Sequence, residues 1–177
     1  QDVARAARWA VKYAEELSDL ALLDQSDQNP SRFSGNEAVR AAAAKLKALA
    51  LHSGIALEVR EGPDVAFNTD RVRFERCLHY LMIWALDGKG VSNVHVGLGA
   101  DGADALIRIV DDGAGGSIED RAAGTLPGAA ASAKRAADGA GYAMARRLAY
   151  SLKGQVSLTT TAGAGAQVEL RLPKTLS

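Results

Sequence analysis

The run Ala105-Leu106-Ile107-Arg108-Ile109-Val110-Asp111-Asp112-Gly113-Ala114-Gly115-Gly116 constrains this chain more than any other stretch. A β-rich apolar lead-in ends in paired acids, and glycines follow at alternating positions. A carboxylate at the end of a buried strand, followed by a glycine turn, is a fixed hydrogen-bond acceptor beside backbone that a ligand can approach closely. The same residues also suit a plain turn-capping acid. The remaining elements read as built around this corner.

Residues 2–25 form a heptad-like helix. Val3, Ala7, Ala10, Ala14, Leu17 and Ala21 recur at spacings of four and three, and Trp9, Tyr13, Leu20 and Leu23 widen the apolar face. Such a helix packs either on its own domain or in a bundle or dimer. The polar run Asp24–Ser31 reads as a hinge or linker. Ser34 and Glu37 are then spaced as a capping box for an Ala-rich helix that runs to about Leu51 and stops at His52-Ser53-Gly54. Ile55–Arg60 alternates as a half-buried strand, and Val65-Ala66-Phe67 gives a short second one.

Asp70 opens the next helix, which continues to about Asp87. Val94–Leu98 and Asp104–Val110 form a hairpin across Ala100-Asp101-Gly102. Residues 113–136 are mostly Gly, Ala and Ser without a period, and a loop of that length is usually functional or disordered. Gly139-Ala140-Gly141 leads a helix to about Leu152, and residues 155–161 and 167–172 make a last hairpin. Gly139 and Gly141 suit an ordinary loop-to-helix entry, or an anion site on the free helix N-terminal amides. The element order predicts an α+β fold, a two-layer sandwich of helices on a mixed sheet preceded by a bundle-type helix, rather than alternating βαβ units.

Composition limits the partners. The 177 residues suit one domain with a short appendage and a sizeable core. Lys+Arg and Asp+Glu balance at 21 each, so no global field draws the chain to nucleic acid or to an anionic membrane. Cys77 is the only cysteine, which rules out an internal disulfide and suits a reducing, cytoplasmic setting; its expected role is that of a small buried hydrophobe. No apolar run of about 18 residues and no signal peptide occurs. Because the chain opens on Gln1 rather than Met, it is expected to be part of a longer protein. His52, His79 and His95 fall on separate elements without ligand spacing, so no metal site is expected from them.

Residues 32–174 resemble the ATP-binding catalytic domain of sensor histidine kinases, in the Bergerat-type fold shared with gyrase, Hsp90 and MutL, and the lead helix resembles the second helix of the kinase dimerisation bundle. Four landmarks carry the likeness. Asp111-Asp112-Gly113-Ala114-Gly115 matches the Asp-x-Gly-x-Gly box, whose Asp reads the adenine amino group. Gly139-Ala140-Gly141, with Ala143 and Leu148, matches the second glycine box. Residues 116–136 fall where the ATP lid belongs. The helix from Asp70 aligns with the segment that carries Asn-Leu-x-x-Asn-Ala in the family. The resemblance implies residues 1–30 as bundle helix plus linker, residues 31–177 as the ATPase-like domain, and Asp111, Gly113, Gly115, Gly139 and Gly141 as nucleotide-binding positions.

The fourth landmark departs from the pattern. Alignment through Leu81 and Ala85 puts Tyr80 and Trp84 at the two asparagine positions, and Asp87 where the family often has Lys or Arg. In working members the first asparagine helps orient the attacking group and the second binds Mg²⁺ through its carbonyl oxygen. Magnesium needs hard oxygen ligands, and an indole offers only an N–H donor. Residues 73, 76, 80, 84 and 87 share one helix face, while Phe74, Cys77, Leu78, Leu81 and Ala85 form a core-like stripe. Tyr80, Trp84 and Asp87 therefore mark a degenerate site with no metal ligand.

The expected function is a histidine-kinase-like module of a two-component protein, impaired in Mg·ATP binding and serving a regulatory, docking or phosphotransfer-associated role. ATP or ADP without Mg²⁺ is its candidate cofactor, a response regulator or other two-component protein its candidate partner, and residues 3–23 its candidate homodimer seam. The other reading is an active catalytic domain that phosphorylates a histidine on a helix bundle. The acceptor helix would then precede Gln1.

Overall fold

The computed structural model describes residues 25–116 and 141–175, together with Ala14, Ser18 and Ala21 as further helical positions. The rest of the lead helix, residues 117–140 and the last two residues lie outside that description, and with them Gly139 and the predicted lid.

In chain order the elements are β1 (Pro30–Ser34), α1 (Gly35–His52), β2 (Ala56–Arg60), β3 (Ala66–Asp70), α2 (Arg71–Leu86), β4 (Asn93–Asp101), β5 (Asp104–Asp111), α3 (141–151), β6 (Gln155–Thr160) and β7 (Ala166–Pro173). Five strands make one sheet in the order β2-β4-β5-β7-β6, and β1 pairs with β3 beside it. Only β2 and β4 run parallel within the larger sheet; its other neighbours are antiparallel. The sheet is therefore mixed, as the sequence predicts.

Strict alternation builds the core. Val94, Val96 and Leu98 of β4, Ala105, Ile107 and Ile109 of β5, and Ala166, Val168, Leu170 and Leu172 of β7 are all buried. The register lines them up in rows, Val96 beside Ile109 and Ile109 beside Val168. The intervening residues form a polar ladder instead, with Arg108 Nε 2.9 Å from Glu169 Oε2 and His95 Nδ1 3.2 Å from Glu58 Oε2. One apolar face and one charged face give a sheet covered by helices on a single side.

The helices that cover it start where local chemistry predicts. Ser34 Oγ accepts from the Glu37 amide at 3.1 Å and caps α1. The Glu37 carboxylate does not return to the cap; it pairs with Arg71 at 3.2 Å, and Asp64 Oδ1 accepts from the Asn36 amide instead. Ala38, Val39, Ala42, Ala43, Leu46 and Ala50 bury the inner face of α1. Asp70 caps α2 by accepting from the Arg73 amide at 3.0 Å. Helix α2 is buried on more than one side, because α1 flanks it on one side and Cys77 Sγ donates to the Ala145 carbonyl of α3 at 3.3 Å on the other.

Two details differ from the sequence reading. The hairpin turn between β4 and β5 lies at Gly102-Ala103 and ends one residue later than the expected Ala100-Asp101-Gly102, with Asp101 opposite Asp104. Residues 30–34, partly assigned to the linker, form a strand that pairs with β3 from Pro30–Asp70 to Ser34–Ala66. Phe33 of β1 explains the pairing: with Phe67 and Phe74 it makes a three-ring cluster with centroids 4.9–5.5 Å apart, which joins β1, β3 and α2.

Candidate functional site at the acid-glycine corner

Asp111 is the last residue of β5. The alternation that buries Ile107 and Ile109 turns its side chain to the helix-covered side, where it is 2% exposed. Its Oδ1 accepts from the Gly113 amide at 3.0 Å and from the Ala166 amide of β7 at 3.3 Å. The carboxylate thus does the work of a turn cap and ties β5 to β7 at the same time.

Asp112 is exposed and points to another partner. Its Oδ1 accepts from the Ser92 and Asn93 amides, both at 2.8 Å, and Oδ2 from Asn93 Nδ2 at 2.6 Å. The Asn93 side chain, followed by these amides, pulls the Asp112 carboxyl down to about 2. The second acid of the pair is an anchor that holds the corner to the start of β4. Sequence spacing alone singled out Asp111 and missed this role; the one available signal was an Asn at the head of the neighbouring strand.

The glycines are required by packing. Gly115 has φ +64°, and a Cβ there would overlap the Thr161 carbonyl; Gly165 has φ +84°, and a Cβ there would overlap the Asp111 carbonyl. The corner and the β6–β7 turn are pressed together, with the Gly163 amide donating to the Ala114 carbonyl at 2.8 Å. On its other side the Ala114 amide donates to the Lys89 carbonyl at 2.8 Å. Gly113 faces Val91 and the Lys89 carbonyl, with no room for a side chain. At Gly141, in contrast, a Cβ would meet no heavy atom of the described residues within 4 Å.

Helix α2 presents aromatic groups. Tyr80 is 2% exposed and Trp84 5%. The Trp84 ring packs on Tyr142, the second residue of α3 within the described chain, at 5.8 Å between centroids and 40° between planes. Tyr142 is itself buried, and that burial raises its phenol pKa above the ordinary value despite the opposing charge of Arg146. The contact joins the C-terminal half of α2 to the start of the helix that follows the second glycine box. Tyr142 escaped the sequence reading, although an aromatic directly after Gly141 was a visible departure.

The expected single face of α2 divides. Arg73 is buried at the N-terminal end beside Asp70, Arg76 lies half-buried in the groove with Lys45 and His79 of the outer α1–α2 seam, and Asp87 is the exposed C-cap. Cys77 is fully buried, as expected, and desolvation pushes its thiol up to about 12. His52, His79 and His95 fall on α1, α2 and β4.

A sequence profile described as histidine kinase-, DNA gyrase B- and HSP90-like ATPase matches residues 69–176. Solved structures of similar fold include the catalytic domain of histidine kinase ThkA in a nucleotide-free form, with 15% identity and a TM-score of 0.68 over 84% of this chain and 99% of that one. The Acinetobacter baumannii histidine kinase AdeS aligns with 17% identity and a TM-score of 0.69, over 91% of this chain and 76% of that one. Full-length ShkA, solved in complex with AMPPNP, aligns with 18% identity and a TM-score of 0.75 over 95% of this chain, which spans only 36% of ShkA. No curated protein sequence matches the chain. Among the described residues no helix is long and apolar enough to cross a membrane.

Proposed function

The chain belongs to the histidine kinase-, DNA gyrase B- and HSP90-like ATPase family, and from that membership we propose that it is a two-component signalling module whose Mg·ATP chemistry is impaired. Its role on this reading is regulatory, docking or phosphotransfer-associated, with a response regulator or another two-component protein as partner. Residues 3–23 are the proposed homodimer seam.

One observation carries the proposal. Trp84, at the position that the resemblance assigns to the magnesium-binding asparagine, is 5% exposed and packed on Tyr142. Its only polar group is an N–H donor, so it offers no oxygen to a cation that takes oxygen ligands in a near-octahedral shell. Tyr80 is also buried, and Asp87 places a carboxylate, which repels phosphate and not the ion, at the end of the same helix. The position assigned to the magnesium-binding asparagine therefore offers the ion no oxygen.

The adenine side is a different matter. Asp111 has a buried carboxylate, Gly113 and Gly115 form the close backbone turn, and a Cβ at Gly141 would touch none of the described residues. These features support binding of ATP or ADP without the metal, and they are also what favours the second reading, an active catalytic domain. Calorimetric titration with ATP and ADP, each with and without Mg²⁺, separates the two. Binding that is weak and indifferent to Mg²⁺ is the expected result. Micromolar binding that requires Mg²⁺ would reject the impaired reading, and no binding of either nucleotide at millimolar concentration would remove the kinase reading for this chain.

A further inference from the structure

Residues 26–29, a linker by composition, are bonded to the domain through a buried charge pair. Arg73 and Asp70 are 3% and 6% exposed, and Arg73 Nη1 lies 3.5 Å from Asp70 Oδ2. Both side chains also grip the entering chain. Arg73 Nη2 donates to the Ser26 carbonyl at 2.8 Å, and Asp70 Oδ2 accepts from the Asn29 amide at 3.1 Å. Between these, Gln28 Nε2 donates to the Ser151 carbonyl at the end of α3. Asp70 Oδ1 meanwhile caps α2, and Pro30 pairs with Asp70 across the β1–β3 ladder.

A buried ion pair adds little stability over apolar side chains of the same volume, and its best-attested use is to specify one arrangement against others. Here the arrangement specified is that of the incoming segment. If residues 26–29 detach, Arg73 loses the Ser26 carbonyl and Asp70 loses the Asn29 amide, and buried charge left short of hydrogen bonds is costly. Docking of the segment therefore supplies one hydrogen bond to each member of the pair. The pair also belongs to α2, the helix that carries Tyr80 and Trp84, and Asp70 is that helix's cap.

We propose that residues 26–29 are a latch and not a free hinge: the Asp70–Arg73 pair clamps the incoming chain, so that a displacement of the segment before Ser26 is delivered to the N-terminus of α2. This coupling is independent of whether the domain binds nucleotide. It predicts that a signal arriving through the lead helix acts on the packing of α2 first.

Hydrogen exchange on the full chain tests it in two ways. In the unmodified chain the Asn29 amide should exchange at least about tenfold slower than an unstructured amide, as expected for a bond opened only by local unfolding. Exchange at the coil rate overturns the latch. Asn29→Pro removes that amide from an exposed residue and leaves the core untouched. It should speed exchange in the first turn of α2, residues 72–75, while β4 and β5 keep their rates; unchanged rates in that turn overturn the coupling. Arg73→Lys keeps a cation but loses the guanidinium fork, and should speed exchange at Asn29. If it leaves that rate as in the parent, the clamp is not Arg73.

Discussion

Two residues, Trp84 and Asp112, depart most from what their positions suggest. A buried tryptophan replaced by a small side chain usually costs about 3–5 kcal/mol, and Trp84→Asn should lose an amount of that order because it abandons the Tyr142 ring. Denaturant unfolding measures the loss; a change within experimental error would mean that the ring contact contributes nothing. Under conditions where the variant is folded it should bind Mg·ADP more tightly than the parent if position 84 is the proposed metal position, since an amide oxygen is then supplied. No gain would place the defect in more than this residue.

Asp112 makes a prediction of opposite character. Its folded pKa, about 2, lies below the ordinary carboxylate value, so the native state holds the proton more weakly than the unfolded chain does. The stabilisation is complete above roughly pH 4, the unfolded value, and disappears as pH falls through the folded one. Asp112→Asn should flatten the stability profile of the domain over that acid window. A profile identical to the parent's would remove the anchor role.

At the scale of elements, the helix ends are open to direct tests. Ser34→Ala removes the acceptor for the Glu37 amide and should cost about 1 kcal/mol by denaturant unfolding; no loss would show that Asp64 caps α1 alone. Cys77 lies between α2 and α3, and its thiol, raised to about 12 and fully buried, should not react with a thiol reagent at neutral pH until these helices separate. Rapid stoichiometric labelling of the native chain would contradict the packing described.

The same elements explain what was legible in the sequence. Alternation at Ile55–Arg60, the apolar run before Asp111 and the turns that break Val94–Val110 and residues 155–172 into hairpins predicted the strands. Ser34 and Asp70 announced their helices because N-caps are local chemistry. The strand β1 was hidden, because Pro30–Ser34 is polar apart from Phe33 and gains its conformation from a partner 32–40 residues away. The same limit applied to the site. Asp111 and the tight glycine turn could be read directly, whereas the Asp112–Asn93 anchor and the Trp84–Tyr142 contact depend on residues brought together only by the sheet and by α2 against α3.

For the whole molecule, the corner at Asp111–Gly116 is structural glue, whatever ligand it is proposed to hold. It ties β5 to β7, to the loop after α2 and to the β6–β7 turn. Thermal unfolding in 1 mM ATP, with and without Mg²⁺, tests the proposed loss of the magnesium site. A site binding Mg·ATP a hundredfold more tightly than that concentration would add about 2.7 kcal/mol, or roughly 5–10 °C for a domain of this size. The expected Tm is the same with and without Mg²⁺ once the effect of the ion alone is subtracted. A rise of several degrees that needs both ATP and Mg²⁺ would contradict it.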